Sequence, residues 1–578
     1  MLPEEYLEKA RKNSASRRRP ITKILPDQVK MANVVFESMK LPHVVQVAQG
    51  PTGMGKTLVV LSVAAALNDI KKKVLIAAPT HNHIQDNMNR DGELVFDEIP
   101  PTLYGITHKR YNDARAKCPR GLEACTNPWS KECQNFTGSC LIVADYKKCS
   151  EANTVFTTHA YVAVKPSVVE KYDVLLVDES HGLPNVIQGQ RQRVLTMGVL
   201  TSLLAKQYDA EVRSLLEQAI ADMERLQRIA ARATPPKAMG NRIIEKVKQA
   251  ANKAGGANPL HEWTFFHSVD HISSDAELTV IRYGAKHEWS DSLSVGLVSA
   301  TVEDPRAHVK DCGFEQLVLR PKEVIDSPEF HQRFLSRPIF AIMDGPRLAK
   351  GDAENYQTFR QQANGLIAVL IEAVPDQVTL ILCQNKDDAQ SIRESLQKFP
   401  ALIPRLTILP DDTEDADSCE EMITKEVAAG KNVIIATASS KLWEGANVPG
   451  LRYVILDALP YRRPSAAELE STGPKASQSW KSMKRFMLNR VQQGVGRLVR
   501  HEGDWGIAVI IDERFYSNKQ QFLKELPRYI KSTEILRWVT KDQAPGVIRA
   551  MASRLSKPGG TARVNQDLFQ AIGKLRDE

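Results

Sequence analysis

Residues 50–57 read Gly-Pro-Thr-Gly-Met-Gly-Lys-Thr, a complete loop of the form G-x-x-x-x-G-K-T. An apolar run, Val44 to Ala48, precedes it, and a run that suits a helix, Leu58 to Leu67, follows it. Strand, loop and helix in that order form a phosphate cradle at the head of an α/β unit. Gly50, Gly53 and Gly55 let the backbone turn tightly, so that its N–H groups face a phosphate chain. Lys56 would reach the β- and γ-phosphates, and the Thr57 hydroxyl would hold a magnesium ion. The expected ligands are ATP and Mg²⁺.

A second half-site lies downstream. Val174-Leu175-Leu176-Val177 is an apolar strand that runs into Asp178-Glu179-Ser180-His181. Asp178 is placed to hold the metal, directly or through water. Glu179 is placed to orient an attacking water and take its proton. Standing alone, two acids after a strand read as a solvated strand end. After a phosphate loop they point to hydrolysis rather than to nucleotide binding only.

The chain has 578 residues, 42% hydrophobic and 25% charged, enough for two to four soluble domains. No apolar run approaches a membrane span, and the first residues lack the pattern of a signal peptide, so a cytoplasmic protein is expected. The net charge of +8 permits a polyanionic partner without requiring one. Residues 1–20 are a basic segment in which Lys9, Arg11, Lys12, Arg17, Arg18 and Arg19 cluster, with Lys23 just beyond. It reads equally as a solvated tail or as a nucleic-acid contact. Cys118, Cys125, Cys133, Cys140 and Cys149 crowd one segment, whereas Cys312, Cys383 and Cys419 are scattered. In a cytosolic chain such crowding suggests a metal.

Two α/β units follow from the pattern, one over 21–325 and one over 335–578. Short apolar strands are expected at Val44–Ala48, Val74–Ala78, Thr154–Thr157, Val174–Val177 and Gly296–Ser299 in the first. Those of the second are expected at Val378–Cys383, Asn432–Ala436, Tyr453–Leu456 and Gly506–Ile511. Two insertions interrupt the first unit: the cysteine segment, 105–150, and a helical stretch, 187–275. In the latter, Val212, Leu215, Leu216, Ala219, Met223, Leu226 and Ala230 recur at helical spacing. A second, basic helix carries Arg242, Lys246, Lys248 and Lys253; it reads as a solvated face or as a nucleic-acid contact.

Far from the phosphate loop stands Gln492-Gln493-Gly494-Val495-Gly496-Arg497-Leu498-Val499-Arg500. Arg497 and Arg500 share a helix face, with Gln493 one turn earlier. Planar guanidinium groups suit the charge that spreads over a phosphoryl group in transfer. One unit would supply the loop and the other the arginines, so that closure of the cleft follows the state of ATP.

These motifs in this order, with Ser299-Ala300-Thr301 between them, resemble the XPD/DinG family of superfamily-two helicases. Further segments carry the resemblance. Ser440-Lys441-Leu442-Trp443-Glu444-Gly445-Ala446-Asn447-Val448-Pro449-Gly450 resembles the family's W-E-G signature, and Leu459-Pro460-Tyr461 its next step. Thr157-Thr158-His159-Ala160 resembles the segment before the Asp-Glu strand. Pro79-Thr80, with Ile84-Gln85 behind, resembles the motif that touches the DNA backbone, and Gln28 falls where the family has its adenine-side glutamine. The resemblance implies two RecA-like motor domains with an iron–sulfur insertion and a helical arch in the first. It implies an ATP-dependent DNA helicase that moves 5′→3′ on single-stranded DNA and opens forked or R-loop duplexes. Thr80, Asn82 and Ser440 would then hold DNA phosphates, and Trp443 would be either a stacking platform or a packed core residue. His181 would couple the ATP site to the motor domains.

Carried over position by position, the resemblance makes Cys118, Cys125, Cys133 and Cys140 the ligands of a 4Fe–4S cluster, leaving Cys149 aside. From the thiols alone, zinc is the alternative metal and five unligated cysteines the remaining reading. The chain departs from the family in lacking a close cysteine pair, in a short insert, in Asn447 for an acid and in Ser180 for an alanine. Shortened DinG-like helicases of type IV CRISPR systems share such brevity and drift, which would add a CRISPR effector complex as partner. Two other functions stay in view: a translocase or R-loop remodeller that moves on DNA and strips proteins or RNA without opening much duplex, and a binding module whose ATPase is vestigial.

Overall fold

The computed structural model describes residues 1–557 except 18–19, 22, 52–53, 106–107, 117–139, 191, 231–235, 255–262, 264–265, 273–277, 283–288, 290–291, 301, 303, 326–334, 350–352, 409–415, 438–447, 462–475 and 499–504. Among these residues two parallel sheets carry the architecture. The first contains β1 (Val44–Gln49), β2 (Val74–Ala78), β3 (Thr154–Thr158), β4 (Val174–Val177), β8 (Ser294–Ser299), β9 (Val318–Leu319) and β10 (Glu323–Val324). Its order is β10-β1-β8-β4-β2-β3, with β9 also beside β1. The second contains β11 (Ile339–Ile342), β12 (Val378–Cys383), β13 (Leu406–Ile408), β14 (Val433–Thr437), β15 (Leu451–Leu456), β16 (Ile507–Ile510) and β17 (Leu536–Val539), in the order β13-β14-β12-β15-β16-β11-β17.

Burial on both faces explains why the inner strands read as continuous apolar runs. Every residue of β2, β4, β8 and β14 is buried. Their register sets the site. β8 lies between β1 and β4, pairing Val47 with Leu297 and Leu175 with Val295, and β2 pairs Ile76 with Leu176. The residues that follow β1, β8, β4 and β2 therefore emerge side by side at one carboxyl edge. Gly296 lets this layer close: a Cβ there would sit 2.8 Å from the Leu176 side chain.

Helix α3 (Lys56–Asp69) is apolar all round, with buried residues from Lys56 and Leu58 through Leu67. Such a helix needs cover on both sides. The sheet supplies one; α1 (Pro3–Asn13) and α2 (Pro26–Met39) supply the other. Tyr6, Leu7 and Ala10 of α1 are buried there, and the Met1 amino group lies 2.6 Å from Asp69. Three of the N-terminal basic residues meet acids: Lys9 meets Asp97 at 2.9 Å, Arg17 meets Glu93 at 3.0 Å and Arg11 meets Glu8.

The stretch between β4 and β8 is more than helical. It contains the helices Ala210–Ala230 and Lys237–Ala254 and an antiparallel sheet of β5 (Gln192–Leu195), β6 (Phe266–Ile272) and β7 (Leu278–Arg282), in the order β5-β7-β6. Val212, Leu216, Ala219, Met223 and Leu226 face Ile243, Ile244 and Val247 in a core of their own. Lys246 and Lys253 on the second helix pair with Asp222 and Glu211 on the first. In the second sheet's unit, Arg360 and Asp457 form a buried two-pronged pair, with both N–O distances 2.6 Å. Among the described residues no helix is long and apolar enough to cross a membrane.

Candidate nucleotide site and its link to the second sheet

Every partner of the Asp-Glu pair comes from the carboxyl edge of the first sheet. Asp178 is fully buried just after β4. The Thr57 hydroxyl donates to its Oδ2 at 2.8 Å, and the Glu179 N–H donates to Oδ1 at 3.0 Å. Two oxygens thus converge, from Thr57 and Asp178, as a small oxygen-loving cation requires. His83 Nε2 lies 3.2 Å from the same Oδ2. Burial, the largest single influence, pushes the His83 pKa down, but the hydrogen bond to Asp178 and the charges of Asp178, Glu179 and Asp91 together outweigh it and hold it above the ordinary value. His159, fully buried, donates from Nε2 to the Asp178 carbonyl at 2.9 Å. Burial lowers its pKa to about 4, so the ring is neutral and acts as a strut.

Glu179 stands in the left-handed backbone region, φ 48° and ψ 47°. Its carboxylate lies 3.4 Å from the buried Lys56 ammonium and 3.4 Å from His181 Nδ1. Desolvation works against its charge, yet Lys56 and then His181 prevail and hold the carboxyl well below the usual range. Lys56 also donates to the Pro51 carbonyl at 3.4 Å. The loop lysine is thus paired with a carboxylate of its own domain.

Gln28 braces the loop. Its amide accepts from the Leu25 N–H at 2.8 Å and donates to the Met54 carbonyl at 2.8 Å. Gly55 stands beside it at φ 78°, and a Cβ there would lie 2.8 Å from the Gln28 nitrogen. Gly50 is equally confined: its Cβ would lie 2.6 Å from the Met31 methyl. Gly53 lies outside the described residues.

His181 joins the two sheets. Its Nδ1 is 3.0 Å from the Ser299 hydroxyl, and the Gln493 amide donates to its Nε2. The two bonds fix one tautomer, with the proton on Nδ1. Gln493 belongs to the helix Ala476–Gly496 of the second unit, and Arg497 follows it by one turn, half-buried. Arg500, Ser440, Trp443, Cys118, Cys125 and Cys133 lie outside the described residues. Thr80 caps the short helix His81–His83, accepting from the His83 N–H, and Asn82 lies within that helix. Cys140 precedes the helix Leu141–Glu151 with a free thiol. Cys149 is a buried core thiol whose pKa burial pushes up to about 12. Among the described residues no group of three or more acids, histidines or cysteines is set to hold a metal.

His83 and His308 are partners that the sequence did not reveal. His308 Nε2 lies 3.2 Å from the Ser180 hydroxyl, the residue that replaces the usual alanine. His159 had a signal in its Thr-Thr-His-Ala segment, though not its role.

Comparison with known proteins agrees with this geometry. A family of type III restriction enzyme res subunits matches residues 21–197, and a helicase C-terminal domain family matches 367–532. The ATP-dependent DNA helicase YoaA of Escherichia coli is 23% identical over 466 residues, covering 69% of this chain and 71% of its own. The chain belongs to the XPD/DinG type of superfamily-two helicases. YoaA of Haemophilus influenzae is 31% identical to this XPD/DinG-type chain over 27% of its length, and the match takes in 24% of that protein. The ATP-dependent DNA helicase CHL1 of Saccharomyces cerevisiae matches at 27% identity over 21% of the chain and 16% of its own length. A solved XPD helicase superposes with a TM-score of 0.59 at 16% identity, covering 90% of this chain and all of that one. Sulfolobus tokodaii Xpd4 gives 0.55 at 13% identity, over 89% and 99%. The fold of the XPD/DinG-type chain is thus that of two RecA-like domains.

Proposed function

We propose that this chain is an ATP-driven DNA helicase that hydrolyses ATP between its two RecA-like domains and moves 5′→3′ along single-stranded DNA. The observation that carries the reading is one polar path, Lys56 to Glu179 to His181 to Gln493, which runs from the phosphate loop of one domain into the helix of the other that ends just before Arg497. Incoming phosphates would draw Lys56 off Glu179. The carboxylate, losing its counter-charge, becomes a better base for the attacking water. Mg²⁺, when bound, would be held by Thr57 and Asp178 and would neutralise charge on the phosphate oxygens. Arg497 and Arg500 would meet the charge that develops in transfer.

The relatives' names, as ATP-dependent DNA helicases, support DNA as the track. Thr80, Asn82 and Ser440 would hold its phosphates and Trp443 a base. In the insert, Cys118, Cys125, Cys133 and Cys140 would bind a 4Fe–4S cluster, tested by iron and sulfide analysis after anaerobic purification. The brevity of that insert supports recruitment by a CRISPR effector complex in the cytoplasm, tested by co-purification with a tagged effector. The central test is strand displacement from duplexes tailed on the 5′ or the 3′ side. Opening of 5′-tailed duplexes with ATP is expected. Translocation without opening favours the stripping reading, and no hydrolysis with or without single-stranded DNA favours the vestigial one.

A further inference from the structure

Three rings pack together at the carboxyl edge beside Thr80, and nothing in the ATP chemistry uses them. His81 and Tyr104 have ring centroids 4.7 Å apart, His81 and His108 4.3 Å, and Tyr104 and His108 4.6 Å. Tyr104 reaches this edge because residues 102–103 run alongside β3: Thr102 bridges Phe156, and the Leu103 N–H donates to the Phe156 carbonyl at 2.7 Å. The Tyr146 hydroxyl fixes the turn by donating to the Tyr104 carbonyl at 2.7 Å.

A ring cluster made only for packing would be buried and its nitrogens satisfied. This one is half-exposed, and His81 Nδ1 is buried with no hydrogen-bond partner among the described residues. Cations flank it. Lys109 and Arg110 are exposed, and the Arg110 guanidinium lies 5.7 Å over the Tyr104 ring while pairing with Asp145 at 2.9 Å. Burial lowers the pKa of His81, to about 4, and of His108, so both rings are uncharged at neutral pH. Uncharged rings rimmed by cations make a surface for flat, electron-rich bases whose backbone is anionic.

We propose that His81, Tyr104 and His108 form a base-stacking platform for single-stranded DNA. The proposal rests on the helicase reading and deepens it. Thr80 would grip the backbone while the next residue carries a base. The same short helix ends in His83, on the metal-holding Asp178, so a base seated on the rings bears on the helix that touches the ATP site.

The test uses the full chain and a labelled oligo(dT), by fluorescence anisotropy, beside an abasic strand of equal length. His108→Ala and Tyr104→Leu are expected to weaken oligo(dT) binding about tenfold. Tyr104→Phe is expected to bind as wild type does. The first two should bind the abasic strand as wild type does and keep its salt slope, because no phosphate contact is lost, whereas Lys109→Ala should lower the slope by about one. Thermal melting near the wild-type temperature identifies folded variants, and His108→Ala, at the half-exposed ring, stands if Tyr104→Leu does not fold. Unchanged oligo(dT) affinity in both variants, or equal losses toward both strands, overturns the platform alone. A wild-type chain that neither binds oligo(dT) nor hydrolyses ATP faster with it overturns the helicase reading as well.

Discussion

A glutamate with positive φ is uncommon and costs of the order of 1–3 kcal/mol. Glu179 bears it because Lys56 and His181 grip its carboxylate from two sides. That grip makes residue-scale predictions sharp. Glu179→Gln should bind ATP about as wild type does, through Lys56 and Thr57, while turnover falls about 10²–10⁴-fold. Lys56→Ala should abolish hydrolysis. Nucleotide titration and a coupled ATPase assay read both. Arg497→Ala should lower kcat more than ATP affinity, since the role proposed for it lies in the transition state; steady-state kinetics would expose the opposite pattern. The ring cluster adds a pH signature. The folded pKa of His81 lies near 4, below its ordinary 6.5. Its contribution to stability is therefore whole above about pH 6.5 and is lost as pH falls toward 4. Melting temperatures from pH 7.5 to 4.5 should fall less steeply for His81→Phe than for wild type.

At the scale of elements, the inner strands were legible because burial on both faces writes an uninterrupted apolar run. Val74–Ala78, Val174–Val177 and Val378–Cys383 stand as expected, and the other anticipated strands shift by a few residues at most. One inner strand, β11 (Ile339–Ile342), escaped although all four of its residues are buried, being too short to stand out; the rest that escaped was at the margins. β13 and β17 are edge strands, the first half-exposed throughout and the second bearing Arg537 and Trp538, so neither shows a clean run. β5 to β7 were hidden by the helical period around them. In the site, the loop, Asp178 and Glu179 were legible from spacing; His83 was not, since a lone histidine after a strand has no pattern. The buried Arg360–Asp457 pair, which ties β15 to the helix Ala353–Glu372, was equally silent. Asp457→Ala should strand a guanidinium in the interior and destabilise the second unit by about 3–5 kcal/mol, measured by urea denaturation.

On the scale of the whole molecule, the insertion between β4 and β8 is a body with its own core. Its entering and leaving strands are neighbours: Gln192 is paired with Ile281, and Leu195 with Leu278. Replacing residues 192–282 with a few glycines should therefore leave the first sheet folded and ATP hydrolysis intact, while strand displacement is lost. Circular dichroism, ATPase and unwinding assays separate these effects, and loss of hydrolysis would mean that the body also shapes the nucleotide site.

The pairing of β5 with β7 has a mechanical side. A body hung from two loose threads would hang slack and absorb whatever its anchor does. One held by hydrogen-bonded strands is stiff at the neck and turns with its mount. Small tilts of the sheet edge, set by what sits between Asp178 and Gln493, would reach the far tip of the helices Ala210–Ala230 and Lys237–Ala254 magnified by their length, about 30 Å for twenty residues. So built, the insertion would work as a lever arm rather than a tether.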